Sequence, residues 1–190
     1  ILKNKLGKVV NPSQLDSTWF KQQKKLEIKI FKLLYVGRMR IEKGIFSLAN
    51  LIKNKRDISL TIVGAEKKTT YNINQRNIKV KQNENNKIKV IKLYDDHNIF
   101  VLPSFTEGYP MVLLEALARR RPVIIFEEIR HVIGEKKGIF VSKRNFTSFL
   151  GTLNHIKKNY KKIQNDMKKN KLPTNKEFIE KFIKSINEFK

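Results

Sequence analysis

The sequence lacks several features that define large classes of proteins. Its 190 residues contain no cysteine, which excludes a disulfide framework and a thiolate zinc site and fits a reducing compartment. No apolar run approaches the roughly 20 residues that a membrane-spanning helix needs. The opening residues, which begin with Ile1 and not Met, carry no apolar core of a signal peptide. We therefore expect a cytoplasmic protein, cut from a longer chain.

Common phosphate and metal motifs are missing as well. The sequence has no Gly-Lys-Ser or Gly-Lys-Thr of a Walker A loop, and no Asp-x-Asp, since Asp95 and Asp96 are adjacent. His97 beside them is interpreted as a surface residue and not as a metal ligand. His131 and His155 are isolated and receive the same interpretation. The sequence thus predicts neither a metal site nor a cofactor.

Acidic residues are scarce relative to basic ones. Lys and Arg number 41 against 17 for Asp and Glu, which gives a formal net charge of +24. Such a field attracts polyanions, including nucleic acid and anionic lipid. The lysines are scattered along the chain and form no arginine-rich stripe, a distribution that favours a solvated basic surface. Two readings stay open at this point: contact with anionic membrane, and a nucleic-acid-binding protein for which no known motif is present.

Apolar runs alternate with amphipathic segments, which predicts an α/β protein with a parallel sheet. Helical spacing of apolar residues is clearest over 146–167, and Thr174 and Glu177 form a capping box before a last apolar stripe at Phe178, Phe182, Ile186 and Phe189. The predicted strands are 31–36, 58–63, 78–82, 99–102, 123–126 and 138–141; the predicted helices are 44–54, 86–94, 111–119, 146–167 and a final one after Thr174.

The chain divides into one main domain with a segment on each side. Residues 1–27 have no consistent period and contain the Asn11-Pro12 turn signal, so they are interpreted as an interdomain linker. Residues 28–170 hold the alternating elements of a single core. Residues 171–190 form the final helix, whose apolar stripe must pack on something.

The loop at 37–44 has the composition of a phosphate site. In open parallel sheets, ligands lie at the carboxyl ends of the strands, and this loop follows the first predicted strand. Gly37 and Gly44 allow the backbone to approach a phosphate, and the helix that follows offers free N–H groups. Arg38 and Lys43 add two cations.

A second loop places two carboxylates near the fourth strand. Glu107 lies in the loop, and Glu115 lies eight residues further on, inside the following helix. A carboxylate can accept hydrogen bonds from two vicinal hydroxyls of a ribose. The alternatives are a helix cap for Glu107 and an exposed helix position for Glu115.

Two segments resemble a known family. LLYVGRMRIEKG and FVLPSFTEGYPMVLLEALA resemble the retaining nucleotide-sugar glycosyltransferases of family 4, which have the GT-B fold of two Rossmann-like domains. The similarity covers roughly 28 to 150, and KVVNP at 8 to 12 resembles the interdomain linker. The resemblance implies a Rossmann-like parallel sheet with helices on both faces, the C-terminal half of a GT-B fold.

The resemblance also implies roles for individual residues. Arg38 and Lys43 would stabilise the donor diphosphate, Glu107 would lie beside the donor sugar, and Glu115 would hold the ribose hydroxyls. The other positions expected to touch the donor are Gly37, Gly64, Gly108, Tyr109, Pro110, Met111 and Val112. No divalent metal is required, and the nucleoside-diphosphate sugar is a substrate and not a cofactor.

The implied function is transfer of a hexose from a nucleotide sugar to a polysaccharide or lipid-linked glycan. The chain would be the donor-binding half, inactive without an N-terminal acceptor domain. A noncatalytic relative acting as a scaffold is the alternative. Arg119–Arg121 and Glu127–His131 depart from the family pattern, the latter replacing a glycine-rich segment. These departures leave the donor sugar open.

Overall fold

The computed structural model describes residues 10–21, 28–65, 73 and 75–188, which form a six-stranded parallel sheet in the order β3-β2-β1-β4-β5-β6. The strands are β1 Phe31–Val36, β2 Ile58–Ala65, β3 Ile78–Gln82, β4 Ile99–Leu102, β5 Val123–Phe126 and β6 Ile139–Ser142. The α-helices are α1 Ile45–Leu51, α2 Lys87–Asp96, α3 Met111–Ala118, α4 Phe146–Met167 and α5 Asn175–Asn187. This is the predicted α/β, Rossmann-like architecture.

The strand order reverses between β1 and β4. From β1 the chain proceeds to β2 on one side, and from β4 it proceeds to β5 on the other. Right-handed crossovers in opposite directions place helices on opposite faces of the sheet. The central strands are therefore covered on both sides, and β4 and β5 are buried along their whole length. The reversal opens a crevice at the carboxyl ends of β1 and β4, where open α/β sheets bind ligands.

The predicted element boundaries agree closely with the structure. The strand at 78–82 and the helix at 146–167 have the predicted bounds, and the capping box of Thr174 and Glu177 is formed. α4 has its apolar face in the core, with Phe149, Leu153 and Ile156 fully buried. The strands at 31–36, 99–102 and 123–126 also have the predicted bounds. The other elements differ from the predictions by a few residues at their ends, where capping and local packing decide the boundary.

The described part of the predicted linker packs against the domain. Residues Ser17–Phe20 form a short 3₁₀-helix, and Leu15 and Trp19 are buried in the core. The Ser13 hydroxyl donates to the carbonyl of Pro173 at 2.6 Å, and the backbone N–H of Asn175 donates to the carbonyl of Leu15 at 2.8 Å. This segment is thus joined to the start of α5. Residues 1–9 and 22–27 of the predicted linker lie outside the described residues.

Two arginines of the 119–121 segment lie in the interior. Arg119 is 2% exposed, and its guanidinium binds both carboxylate oxygens of Asp95 at 3.0 and 2.7 Å. It also donates to the carbonyls of Trp19 and Lys21 at 2.9 and 3.1 Å. Arg121 is 1% exposed and lies 3.4 Å from Asp95. The connection from α3 to β5 is at the amino ends of the strands, so this cluster lies at the opposite end of the strands from the crevice.

His97 is a structural residue, and its interpretation as a simple surface residue was wrong. It is half-buried, and its ring nitrogens lie 2.6 Å from the Leu93 carbonyl and 2.8 Å from the Thr61 hydroxyl. Burial lowers the pKa of the imidazole, although the bond to Leu93 opposes this shift. Within the described part of the chain, no cluster of three residues could hold a metal ion.

α5 lies on the outside of the fold. None of its described side chains is buried, and Ile179, Phe182, Ile183 and Ile186 are between 45% and 52% exposed. Phe189 of the predicted apolar stripe lies outside the described residues. Among the helices of the described ranges, none is both long and apolar enough to cross a membrane.

Candidate functional site

The loops that follow β1 and β4 are joined at the crevice. A short 3₁₀-helix, Ile41–Lys43, follows β1 and ends at Gly44, which has the left-handed conformation. The backbone N–H of Phe105 donates to the carbonyl of Glu42 at 2.9 Å. This contact fixes the relative position of two loops that are separated by about sixty residues in the sequence. The two predicted constellations therefore form one site.

Lys43 and Glu107 form an ion pair in this site. The Lys43 Nζ lies 2.7 Å from Glu107 Oε1, and the two side chains are 21% and 11% exposed. The hydroxyl of Ser104, which is fully buried, donates to the same carboxylate oxygen at 2.7 Å. Two donors thus hold the carboxylate in one orientation at the mouth of the crevice. The structure brings together two residues that the sequence placed at one site.

Arg38 lies on the exposed side of the loop after β1. Its side chain is open to solvent, while its backbone carbonyl accepts a hydrogen bond of 2.8 Å from the buried hydroxyl of Tyr35. Burial is the main reason why the pKa of Tyr35 is raised, and nearby Glu107 adds to the shift. The phenol therefore stays a hydrogen-bond donor and fixes the turn from which Arg38 projects.

The two glycines expected near the donor lie against each other. The N–H of Gly37 donates to the carbonyl of Val63 at 2.9 Å. A Cβ atom on Gly64, which has φ of +130°, would lie 2.0 Å from the carbonyl oxygen of Gly37. A side chain at position 64 would therefore push the loop after β1 away from β2. Gly64 serves close backbone packing beside the site, a role that needs no contact with a ligand.

A groove of about 190 Å³ opens beside the loop after β4. Gly108, Tyr109 and Pro110 form one side of it, immediately before α3 begins at Met111. The N–H of Leu113 donates to the carbonyl of Pro110 at 3.1 Å, so the N–H groups of Met111 and Val112 are the ones that can face an anion or a sugar oxygen. Met111 and Val112 are half-buried in this first turn. The opposite side of the groove is formed by the segment after β5 and includes His131 and Lys136.

Glu115 is more enclosed than the other predicted site residues. It is 9% exposed, and its Oε2 accepts a hydrogen bond of 2.9 Å from the hydroxyl of Tyr94. Burial raises the pKa of its carboxyl group, and the bond to Tyr94 partly opposes this. The predicted alternative of an exposed helix position is therefore wrong. Glu115 lies on the α2 side of α3, apart from the pair of Lys43 and Glu107.

Three further residues at the crevice were not singled out from the sequence as site residues. His131 lies 2.7 Å through Nε2 from the backbone carbonyl of Glu107. Arg144 stacks on the rings of Phe105 and Phe126, each at 4.2 Å, and binds Glu128 at 2.8 Å. The third is Ser104. One available signal was their position, since all three follow a strand at its carboxyl end.

The loops at the crevice carry side chains of both charges. Arg38 and Lys43 lie on the loop after β1, and the fixed carboxylate of Glu107 and the first turn of α3 follow β4. No metal ligand set occurs there among the described residues. The family model described as "Glycosyl transferases group 1" matches residues 17–172. The chain belongs to this family.

Curated relatives agree with this assignment. The chain is 38% identical over 92 residues to TuaC of Bacillus subtilis (strain 168), a protein named for teichuronic acid biosynthesis; the match covers 48% of this chain and 23% of TuaC. It is 29% identical over 142 residues to CapM of Staphylococcus aureus, a capsular polysaccharide biosynthesis glycosyltransferase, covering 64% and 37%.

The fold is also that of solved glycosyltransferase structures. Sucrose-phosphate synthase from Thermosynechococcus elongatus superimposes with a TM-score of 0.67 at 16% identity, over 86% of this chain and 46% of that protein. The chain thus spans less than half the length of these relatives. The fold class of a GT-B glycosyltransferase domain is confirmed.

Proposed function

We propose that the chain is the donor-binding half of a transferase that moves a hexose unit from a nucleoside-diphosphate sugar to a polysaccharide or lipid-linked glycan. The observation that carries the proposal is the joined pair of loops, which sets Lys43 against Glu107 at the topological switch point. The names of TuaC and CapM support a role in polysaccharide biosynthesis.

In the proposed reaction, the leaving nucleoside diphosphate gains negative charge as the bond to the sugar breaks. Arg38 and Lys43 stabilise that charge more in the transition state than in the ground state, which is the condition for catalysis. Glu107 lies beside the sugar and supports the positive charge that develops at its anomeric carbon. Glu115 holds the ribose hydroxyls, which requires that one of its oxygens be reached from the crevice.

The proposal also specifies the stereochemistry and the metal requirement of the reaction. The reaction retains the anomeric configuration of the donor and proceeds without a divalent metal, because the fixed cations of the crevice take the place of one. With the complete protein, the anomeric configuration of the product is measured by NMR, and activity is measured in the presence of a chelator. An inverted product, or complete loss of activity with the chelator, contradicts these features.

The proposal also assigns a role to α5. Its exposed apolar residues, which include Phe182 and Ile183, support contact with a separate N-terminal acceptor domain. The isolated chain then binds donor nucleotide and transfers no sugar. Detectable transfer by the 190-residue chain contradicts this assignment.

The basic surface of α4 supports peripheral contact with anionic membrane. Lys157, Lys158 and Lys161 are exposed along this helix, and each basic residue near an anionic surface contributes about 1 kcal/mol. Replacing these three by Gln should reduce sedimentation with vesicles that contain anionic lipid, and high salt should abolish it. A variant with Gln at three exposed lysines of α5, namely Lys176, Lys181 and Lys184, is the charge-matched control. Equal loss in both variants contradicts a role specific to α4.

The proposed function is tested by calorimetric titration of the chain with UDP, GDP and ADP in the absence of metal. We expect binding of one nucleotide, weakened about tenfold or more in Glu115→Gln, because a charge-assisted hydrogen bond contributes about 1.5–3 kcal/mol. Glu180→Gln, in the exposed helix α5, changes the net charge equally and should bind as the unmodified chain does. Absence of binding to all three nucleotides contradicts the proposal and favours the noncatalytic scaffold.

A further inference from the structure

One wall of the groove beside Gly108 comes from the segment after β5, which begins with Glu127–His131. This segment forms a 3₁₀-helix, Glu127–Val132, followed by a turn at 134–135. His131, Val132, Gly134 and Lys136 of this stretch face the turn of Gly108 to Pro110 across the groove.

His131 fastens this wall to the loop that carries Glu107. Its Nε2 lies 2.7 Å from the backbone carbonyl of Glu107. A carbonyl oxygen only accepts, so the imidazole donates and carries a proton on Nε2. The width of the groove is therefore set on one side by a direct bond between its two walls.

Lys136 brings a positive charge to the groove. A Cβ atom placed on Gly134 would lie 3.3 Å from the Lys136 Nζ, which shows that the ammonium group is folded back over the turn and not extended into solvent. The side chain is half-buried. Among the described residues, no carboxylate forms an ion pair with it, and none of the described residues that line the groove carries a carboxylate.

We propose that this groove receives a sugar that bears a carboxylate, so that the donor is a nucleoside diphosphate hexuronate. The inference rests on the proposed function and specifies its substrate class. Hydroxyl groups of a neutral hexose gain little from an ammonium group that water already solvates, whereas a carboxylate forms a charge-assisted hydrogen bond with it. The Lys136 ammonium is the group that recognises the acid, and His131 holds the wall in place.

The test compares each acid with its neutral counterpart on the same chain. Calorimetric titrations use UDP-glucuronate against UDP-glucose and GDP-mannuronate against GDP-mannose, together with UDP and GDP alone. For the base that binds, we expect the acid to bind about tenfold more tightly than the neutral sugar, the ratio that corresponds to one charge-assisted bond. Lys136→Gln should remove this preference and leave the affinity for the nucleoside diphosphate unchanged.

The neighbouring Lys137 provides a matched control for the overall basic field. It is exposed and does not line the groove, and its backbone bonds to Asn170 do not involve its ammonium group. Lys137→Gln should therefore retain the preference for the acid. Equal affinities for acid and neutral sugar, equal effects of the two substitutions, or weakened binding of the nucleoside diphosphate itself in Lys136→Gln would overturn the inference while the proposed function stands. Binding of neither UDP nor GDP overturns the inference, and absence of binding to ADP as well overturns the proposed function too.

Discussion

A Cβ atom on Gly44 would lie 1.9 Å from the carbonyl oxygen of Pro103. The backbone of the loop that carries Lys43 thus packs directly against the backbone at the end of β4. No space for a side chain remains between them. This contact stands directly beside the hydrogen bond between Phe105 and Glu42. The position of the cation relative to Glu107 therefore depends on the absence of a methyl group at residue 44.

Gly44→Ala should destabilise the protein by about 2–5 kcal/mol. The estimate combines overpacking, at about 1–3 kcal/mol, with the left-handed backbone at φ of +64°, at about 1–2 kcal/mol. Urea denaturation measures the effect. Gly151→Ala is the control, because no described residue outside its own stretch of α4 has an atom within 4 Å of its Cβ position, and it should raise stability by about 0.5–1 kcal/mol. Equal urea midpoints for Gly44→Ala and the unmodified chain would show that the two loops can move apart without loss of unfolding free energy.

Glu107→Gln should increase the affinity for a nucleoside diphosphate without a sugar. The Glu107 carboxylate holds the Lys43 ammonium at 2.7 Å, so a diphosphate must compete with it for the cation. A neutral amide competes less, and the expected gain is several-fold, on the order of 1 kcal/mol. Lys43→Gln should weaken the same nucleotide about tenfold or more. Calorimetry measures both, and a lower affinity in Glu107→Gln would mean that this carboxylate organises the cation and does not restrain it.

The stability of the chain should respond to pH through Glu115. Burial raises the pKa of this carboxyl group above its ordinary value of 4.5, so the folded state binds the proton more tightly than the unfolded chain. Its contribution to stability is therefore present below the ordinary pKa and is lost as pH rises through the raised one. Relative to the unmodified chain, Glu115→Gln should be more stable at pH 8 than at pH 4. A difference in unfolding free energy that stays constant between these pH values contradicts the burial argument.

The segment that contains Trp19 should detach when Arg119 is replaced. Arg119→Met leaves Asp95 without its bidentate partner and removes the donors to the carbonyls of Trp19 and Lys21. Loss of one partner of a buried ion pair costs about 3–5 kcal/mol. Because the sequence has a single tryptophan, a red shift of intrinsic fluorescence reports exposure of Trp19.

Two controls accompany the Arg119 substitution. Arg120→Met changes the charge equally at a half-exposed position and should alter stability by about 0.5 kcal/mol or less. The nucleotide preference of the folded fraction should be unchanged, since the cluster lies at the amino ends of the strands. A changed preference in Arg119→Met would show that this segment does influence donor choice.

Hydrophobic periodicity predicted most of the fold because the strands are short apolar runs and α4 has one continuous apolar face. It could not predict the interior position of Arg119, whose partners at Trp19 and Lys21 are about a hundred residues away. A run of three arginines predicts a surface position. Only the tertiary fold supplies the carboxylate and the carbonyls that allow Arg119 to be buried. The same limit applies to 10–21, which lacks periodicity because Leu15 and Trp19 enter the core from an irregular segment.

For the site, the position of two loops at the carboxyl ends of strands, together with the family resemblance, predicted that Lys43 and Glu107 lie near one ligand. Their ion pair with each other was not predicted. The sequence did not reveal that His131 is bonded to the Glu107 backbone. An isolated histidine carries no spacing signal, and its partner is a carbonyl that every residue possesses. The burial of Glu115 against Tyr94 was hidden for a similar reason, since it depends on how α2 packs on α3.

The hydrogen bonds from Ser13 to Pro173 and from Asn175 to Leu15 have a mechanical consequence. They clasp the segment that enters the fold to the segment that begins α5, with Leu15 seated in the core between them and the sheet. A force applied to either segment is therefore shared by the other through these two hydrogen bonds. The two segments should transmit force to the sheet together and not independently.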